Sequence, residues 1–349
     1  MKRAYKLHIA DMLRAQGRHV SFHTPGHKRR GADITELSYS DCLLSPAGVI
    51  RAAEEDIAQI LGANRSFLLT DGSTSGVFSM VYALKSAGVR AIACSKHSHR
   101  SVENACRVLG IERVPIEQEI KAGIPAQPTI EAIKAALDQA DALLLTSPDY
   151  YGFFPPLEAA KSLCISRGKP LAIDGAHGAH LHFTDKHAGK YADLWVDGAH
   201  KSLPALTQGA VVSAKTEAWG KLLEEGVKTF RTTSPSYPVM ASVEYAIKYP
   251  RSGEIEAAAE ETKRALGALI NEDWSKIVVP FGSKCDEAQK HLEKNGVYPE
   301  FNDGNYLMFY LSPCTKKGEL ARLKRLLKGL PRGGLQAEMG KIPMYSEER

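Results

Sequence analysis

The chain has 349 residues, 44% hydrophobic and 24% charged, with a mild net charge of +5 from 45 basic and 40 acidic residues spread along its length. That length supports a large core plus a second lobe, and the even spread of charge lacks the clustered basic face expected of a nucleic-acid binder. No apolar run approaches the ~20 residues of a membrane span, no apolar stretch of a signal peptide follows the basic start Met1-Lys2-Arg3, and the six scattered cysteines form no C-x-x-C pair, so the expectation is a reduced, cytoplasmic protein.

Residues 4–16 are read as a short helix. Ser21-Phe22-His23-Thr24-Pro25-Gly26-His27-Lys28-Arg29-Arg30-Gly31 sets a Pro-Gly turn among two histidines and three cations, either the lining of an anionic site or a plain surface loop. Residues 51–61 are predicted helical, with Ile57, Ile60 and Leu61 on one side and Gly62 as the stop. A repeating unit then begins: apolar run, small or polar turn, helical pattern. Ser66–Thr70 leads through Asp71-Gly72-Ser73-Thr74-Ser75-Gly76 into a helix over Val77–Ala87, and Val89–Cys94 leads through Lys96–Ser101 into another. Ala142–Thr146 leads through Ser147-Pro148-Asp149-Tyr150-Tyr151-Gly152 to a helix after Pro156. Pro170–Ile173 runs to Asp174, Asp193–Asp197 runs toward Lys201, and Ala210–Val212 closes the series.

Continuous apolar strands alternating with helices indicate an α/β fold with a mostly parallel sheet flanked by helices on both faces. Ligands of such sheets bind at the carboxyl ends of the strands, where all the polar, glycine-rich stretches fall. Helical patterns then cover Val239–Lys248 and Glu254–Leu269. Strands at Lys276–Val279 and Asn305–Leu311, with helices near Asp286–Lys294 and Lys317–Leu327, make a small C-terminal α+β lobe. From Pro331 the chain is expected to be loosely ordered. The expected organisation is an N-terminal segment 1–50, a large domain 51–250 and a small domain 251–349.

Five groups of residues invite chemistry. Lys201 follows a short buried strand with His200 beside it and small uncharged residues after it, a setting that suits Schiff-base chemistry as well as a solvated loop. Gly72-Ser73-Thr74-Ser75-Gly76 offers close backbone approach, hydroxyls and a helix start, which together suit a phosphate. The stretch is equally a plain helix start, and it misses the hydrolase elbow G-x-S-x-G by Thr74 at its centre. Asp174 ends an apolar strand, where a carboxylate calls for a cationic partner such as a protonated pyridine nitrogen, or else caps the next helix. His177, His180 and His182 crowd one contiguous loop; with no H-E-x-x-H and no distant ligand set, no metal site is expected. His97 and His99 follow a strand end, as loop histidines or facing the shared site.

Taken together these segments resemble the Orn/Lys/Arg decarboxylases, pyridoxal-phosphate enzymes of fold type I. The matching runs are His23–Lys28, Asp33–Leu37, Asp71–Gly76, His99–Val102, Pro148–Gly152, Asp174–His180, His200–Gln208 and Thr233–Tyr237, eight in family order over roughly residues 20–310. The resemblance implies decarboxylation of a basic amino acid with pyridoxal 5'-phosphate as cofactor, in a homodimer or higher homo-oligomer. It implies that Lys201 forms the Schiff base, Asp174 pairs with the pyridine nitrogen and His99 stacks on the ring. Ala176 and His177 would lie close to it, and Gly72, Ser73, Thr74 and His200 would hold the phosphate. The Ser234–Tyr237 loop, with Ser236, would reach toward a neighbouring subunit's cofactor. Asp41 or Glu300 could read the substrate's distal charge. Gly175 stands where the family usually has a glutamate and Gly198 where it usually has a serine, and the chain reads as a short form with a truncated C-terminal region. Transamination, elimination or a catalytically weak cofactor-binding homologue are the alternatives, with a metal-dependent hydrolase more distant.

Overall fold

The computed structural model describes residues 6–16, 20–28, 31–251 and 253–335. Expectations that fall on Met1–Tyr5, Arg29, Arg30 and residues 336–349 lie outside the described residues. The chain opens with α1 (His8–Ala15) and α2 (Val49–Leu61), and α2 stops at Gly62, whose φ of 65° suits glycine. The large lobe follows as β1 (Arg65–Leu69), α3 (Ser73–Ser86), β2 (Ala91–Ser95), α4 (Arg100–Leu109) and β3 (Glu112–Ile116), then a ribbon of β4 (Ile120–Lys121) and β5 (Ile124–Pro125). It continues with α5 (Ile130–Leu137), β6 (Ala142–Thr146), α6 (Leu157–Ser166), β7 (Leu171–Gly175), β8 (Leu194–Asp197), α7 (Ala199–Ser202), β9 (Ala210–Ala214), α8 (Glu217–Phe230) and α9 (Tyr237–Lys248). The small lobe comprises α10 (Gly253–Leu266), β10 (Lys276–Pro280), α11 (Cys285–Lys294), β11 (Phe301–Asn302), β12 (Tyr306–Tyr310) and α12 (Lys317–Leu327).

The large sheet has the order β1-β9-β8-β7-β6-β2-β3. Strands β3, β2, β6, β7 and β8 run parallel, and β9 is antiparallel to both β8 and β1. The apolar runs are continuous because both faces are covered. Leu68, Ile173 and Trp195 point into one core with α2, α6 and α9, whereas Leu69, Leu144 and Val196 point into the other with α3, α4 and α8. The antiparallel small sheet, β10-β12-β11, packs Ile277, Val279, Leu307 and Phe309 on its own helices. Its opposite face sends Val278, Tyr306 and Met308 against Tyr150 and Tyr151 of the large lobe. That strand alternation carries the small sheet onto the carboxyl ends of the large one.

Several elements differ from the sequence expectation. Helix α3 starts at Ser73, four residues before Val77, because Ser75 Oγ anchors on Asp71 at 2.7 Å and Gly76 packs where a Cβ would lie 2.6 Å from Val196 Cγ2. Strand β3 is an additional edge strand that tolerates Pro115. Helices α5 and α8 also add to the expected set, each N-capped by a threonine (Thr129 and Thr216). Residues 331–335 are tied down rather than loose: the Gly333 N–H donates to Phe281 O at 2.9 Å and the Ser283 N–H to Gly334 O at 3.3 Å. Among the described residues no helix is long and apolar enough to cross a membrane.

Candidate active site

Strands β7 and β8 run side by side and deliver their ends to one place. Asp174, next to last in β7, is 2% exposed and accepts the Ala176 N–H at 3.1 Å. Beyond β8, the single turn α7 presents His200 and Lys201. Lys201 Nζ reaches to 3.1 Å from Nε2 of His177, in the loop that follows β7. Burial pushes the Lys201 amine below the ordinary lysine range, with Asp174 and Glu300 pulling the other way. Burial, reinforced by the Lys201 charge, drives the His177 imidazole well below its ordinary value. His177 Nδ1 is buried without a hydrogen-bond partner among the described residues.

The Gly72–Gly76 stretch is the N-terminus of α3, and no side chain among the described residues caps it. Its first N–H groups and the positive end of the helix dipole are therefore left to meet an anion. Gly72 adopts φ 86°, a conformation that costs glycine little, and its N–H donates to Gln208 O at 2.9 Å. The backbone N–H of His200 and its ring Nδ1 both meet Gly209 O at 3.0 Å. The Gln208–Gly209 turn thus ties the helix start to the Lys201 turn. Ser73 is half-buried and Thr74 exposed at this mouth.

His99 caps α4, its Nδ1 accepting the Ser101 N–H at 3.1 Å. Burial lowers its basicity, opposed by Asp174 and aided by Lys201, which sets these three groups in one electrostatic cluster. His200 is likewise lowered by burial. His97 lies beside Ser95, Gln118 and Gln127. His180 bonds Asp273 at 2.8 Å, and His182 contacts the carbonyls of Ala179 and Ile247. Among the described residues no group of three or more His, Cys, Asp or Glu is placed to hold a metal ion.

Two expectations require correction. Tyr237 does not extend outward: it is fully buried in its own chain, bonded through its hydroxyl to Asp41. Only the segment before it, with half-buried Ser236 at the start of α9, remains at the surface. Asp41 is no reader of substrate charge, because its carboxylate accepts the N–H groups of Cys42, Ala47, Gly48 and Ile50 ahead of α2. In the His23–Lys28 turn, His27 bonds Asp33 at 2.9 Å and Lys28 donates to His23 O.

The small lobe and the Tyr150 loop of the large lobe close the site, with Tyr310 and Lys276 absent from the expected site residues and Glu300 named among them without a place. Tyr310 and Tyr150 meet His177 edge-on, at centroid distances of 5.6 and 5.2 Å. The Tyr150 hydroxyl donates to Glu300 Oε1 at 3.4 Å. Lys276, the first residue of β10, is completely buried beside Tyr310. Lys276 did carry a sequence signal, a lysine opening a wholly apolar strand. Tyr310 and Tyr150 look like ordinary core aromatics until the fold joins them.

A family model described as Orn/Lys/Arg decarboxylase, major domain, matches residues 26–268. The chain belongs to that family. Among curated relatives, the Bacillus subtilis (strain 168) uncharacterized protein YaaO is 28% identical over 87% of this chain and 73% of its own length. An arginine decarboxylase of Halalkalibacterium halodurans is 30% identical over 66% of this chain and 52% of its own. Among solved structures, the Francisella novicida lysine decarboxylase LdcF superposes with a TM-score of 0.78 at 18% identity, covering 92% of this chain and 59% of that one. The chain thus spans about half the length of the named arginine decarboxylase. This is a pyridoxal-phosphate family, and the residues fit that group. An uncapped helix start offers N–H donors for the phosphate, a buried strand-end carboxylate suits the pyridine nitrogen, and a desolvated lysine suits the aldehyde.

Proposed function

We propose that the chain decarboxylates a basic amino acid (arginine, lysine or ornithine) to the corresponding amine with pyridoxal phosphate. The observation that carries this is Lys201, a desolvated amine 3.1 Å from His177, whose imidazole burial holds well below its ordinary value, in one electrostatic cluster with Asp174. Gly72, Ser73, Thr74 and His200 would hold the phosphate, Lys201 the aldehyde carbon and Asp174 the pyridine nitrogen. His99 would lie on the ring, with Ala176 and His177 beside it and Ser236 contributed toward a partner subunit's site. When bound, pyridoxal phosphate supplies a ring that takes up the electron pair released as the Cα–carboxylate bond breaks. Asp174 keeps a proton on the ring nitrogen. Lys201 would hold the proton that returns to Cα, with His177 Nε2 as its hydrogen-bond partner.

Glu300 supports a cationic substrate. It borders the site from the small lobe, oriented by the Tyr150 hydroxyl, and acts electrostatically on both Lys201 and Lys276. A carboxylate there favours a side chain that ends in a cation. The proposal extends to the organisation 1–50, 51–250 and 251–349, a cytoplasmic homodimer and a place in polyamine-forming metabolism.

The test is to incubate the cofactor-loaded chain with arginine, lysine and ornithine and to score CO2 and amine. Equal CO2 and amine from one of them, with KM raised at least tenfold in Glu300→Gln, is the expected result. Keto acid without CO2 would point to transamination. Cofactor binding with no product from any substrate would point to a weak homologue.

A further inference from the structure

Lys276 is a buried charge that the reaction above does not use. Burying an ammonium costs several kcal/mol unless something meets it. Its partners here are indirect. Tyr310 is its register partner across the β10–β12 pair, which sets both side chains on one face, and Nζ lies 3.9 Å from the Tyr310 ring centroid. Asp273 Oδ2 is 3.9 Å away and Ser275 Oγ 3.4 Å. Asp273 is shared: its Oδ1 bonds His180 at 2.8 Å and Ser275, while its Oδ2 meets Lys276 only at this long range. The positive charge is therefore only partly neutralised. Tyr310 in turn meets His177 edge-on at 5.6 Å, and His177 Nε2 is 3.1 Å from Lys201 Nζ. A line of contacts runs Lys276–Tyr310–His177–Lys201.

We propose that Lys276 is a positioning residue for Lys201: its buried ammonium, seated over Tyr310 behind His177, keeps both His177 and Lys201 in their neutral forms. A neutral Lys201 is the form that attacks an aldehyde. The groups facing Lys201 divide by sign. Asp174 from β7 and Glu300 from the small lobe favour its ammonium. Burial opposes it, and Lys276, a like charge acting on Lys201, opposes it too. Lys276 itself faces Asp273, Glu300 and Asp149 as well as Lys201. Burial pushes the Lys276 amine below the ordinary lysine range, and Asp273, Glu300 and Asp149 pull it back toward the cation.

The proposal rests on Lys201 being the reactive lysine. It is tested on the full chain freed of cofactor, by competitive labelling with acetic anhydride over a pH series and mass spectrometry of the Lys201 peptide. The wild-type midpoint is expected well below the ordinary lysine value of about 10.4. Lys276→Met is expected to raise it by about 1 pH unit, because a like charge has gone. Lys276→Arg keeps the charge and restores the wild-type midpoint, a rescue that a purely structural role would not give. The midpoint of exposed Lys317 serves as the internal control. A Lys276→Met midpoint that is unmoved or lowered overturns the proposal. If Lys276→Met does not fold, Lys276→Gln takes its place, and a wild-type midpoint in the ordinary lysine range overturns the proposal without any variant. Labelling does not depend on turnover. A shifted midpoint in a chain that yields no amine would keep the Lys276 role and remove the decarboxylase one.

Discussion

Lys201 Nζ lies 3.1 Å from His177 Nε2, so one of the two turns a lone pair toward the other. Two cations at that separation would repel in a desolvated site. A neutral His177 accepting from Lys201 satisfies both, and it places the ring hydrogen on Nδ1, the buried atom without a partner among the described residues. Replacing His177 with Phe keeps a ring against Tyr150 and Tyr310 but removes the acceptor. The expected result is a fall in kcat/KM of roughly 10²-fold with the visible band of bound cofactor retained. Amine formation and an absorbance spectrum on the same sample check this, and His177→Gln should recover part of the loss.

The same neutral histidine makes the fold acid-sensitive. Burial lowers His177 well below its ordinary value, so the fold disfavours the proton. As pH falls through about 6.5 the unfolded chain takes up a proton there that the folded chain refuses. Stability therefore drops with falling pH, by up to about 1.4 kcal/mol per pH unit from this group. His177→Gln lacks that proton uptake. Urea denaturation at pH 7 and pH 5.5 should show wild type losing about 1 to 2 kcal/mol relative to the variant over that interval.

The α3 start is expected to hold an anion through N–H groups and two hydroxyls. Removing one charge-assisted hydrogen bond costs about 1.5 kcal/mol or more. Ser73→Ala and Thr74→Ala should each raise the cofactor dissociation constant roughly tenfold, read by titrating the visible band. The larger effect belongs to Ser73, which is half-buried while Thr74 is exposed.

Gly198 is fixed by its surroundings. A Cβ there would lie 2.3 Å from Ala176 O and 3.2 Å from Ala176 Cα, both backbone atoms. Serine at this position cannot supply a phosphate hydroxyl without forcing the ends of β7 and β8 apart. Gly198→Ser is expected to destabilise the chain by about 1–3 kcal/mol and to weaken cofactor binding rather than strengthen it. Chemical denaturation and band titration would show the two losses together.

The parts of this molecule that were legible in the sequence are those with local causes. Strands β6, β7 and β8 read correctly because burial on both faces leaves only apolar side chains. Lys201 and Asp174 stood out as charged groups at the ends of such strands. The start of α3 was misplaced because Ser-Thr-Ser-Gly is a weak helix former on propensity, while the deciding contact, Gly76 against Val196, comes from 120 residues away in sequence by subtraction of their numbers. Edge strand β3 was missed because its residues alternate in exposure and include a proline. Glu300 could be named as an acid but not placed, and Lys276 could not be tied to Lys201 at all. Both reach the site through the packing of Tyr306 and Met308 on Tyr150 and Tyr151, a relationship between distant segments that no local pattern encodes. Asp41 illustrates the converse, an acid in the right part of the chain whose carboxylate is consumed by backbone N–H groups.

The central assignment is tested most directly by adding pyridoxal phosphate to the full chain, reducing with borohydride and mapping the cofactor mass by peptide mass spectrometry. The expected result is one cofactor mass on Lys201, absent from Lys201→Ala along with all amine formation from arginine, lysine and ornithine. Attachment at Lys276 or another lysine, or amine formation that survives Lys201→Ala, would contradict the account.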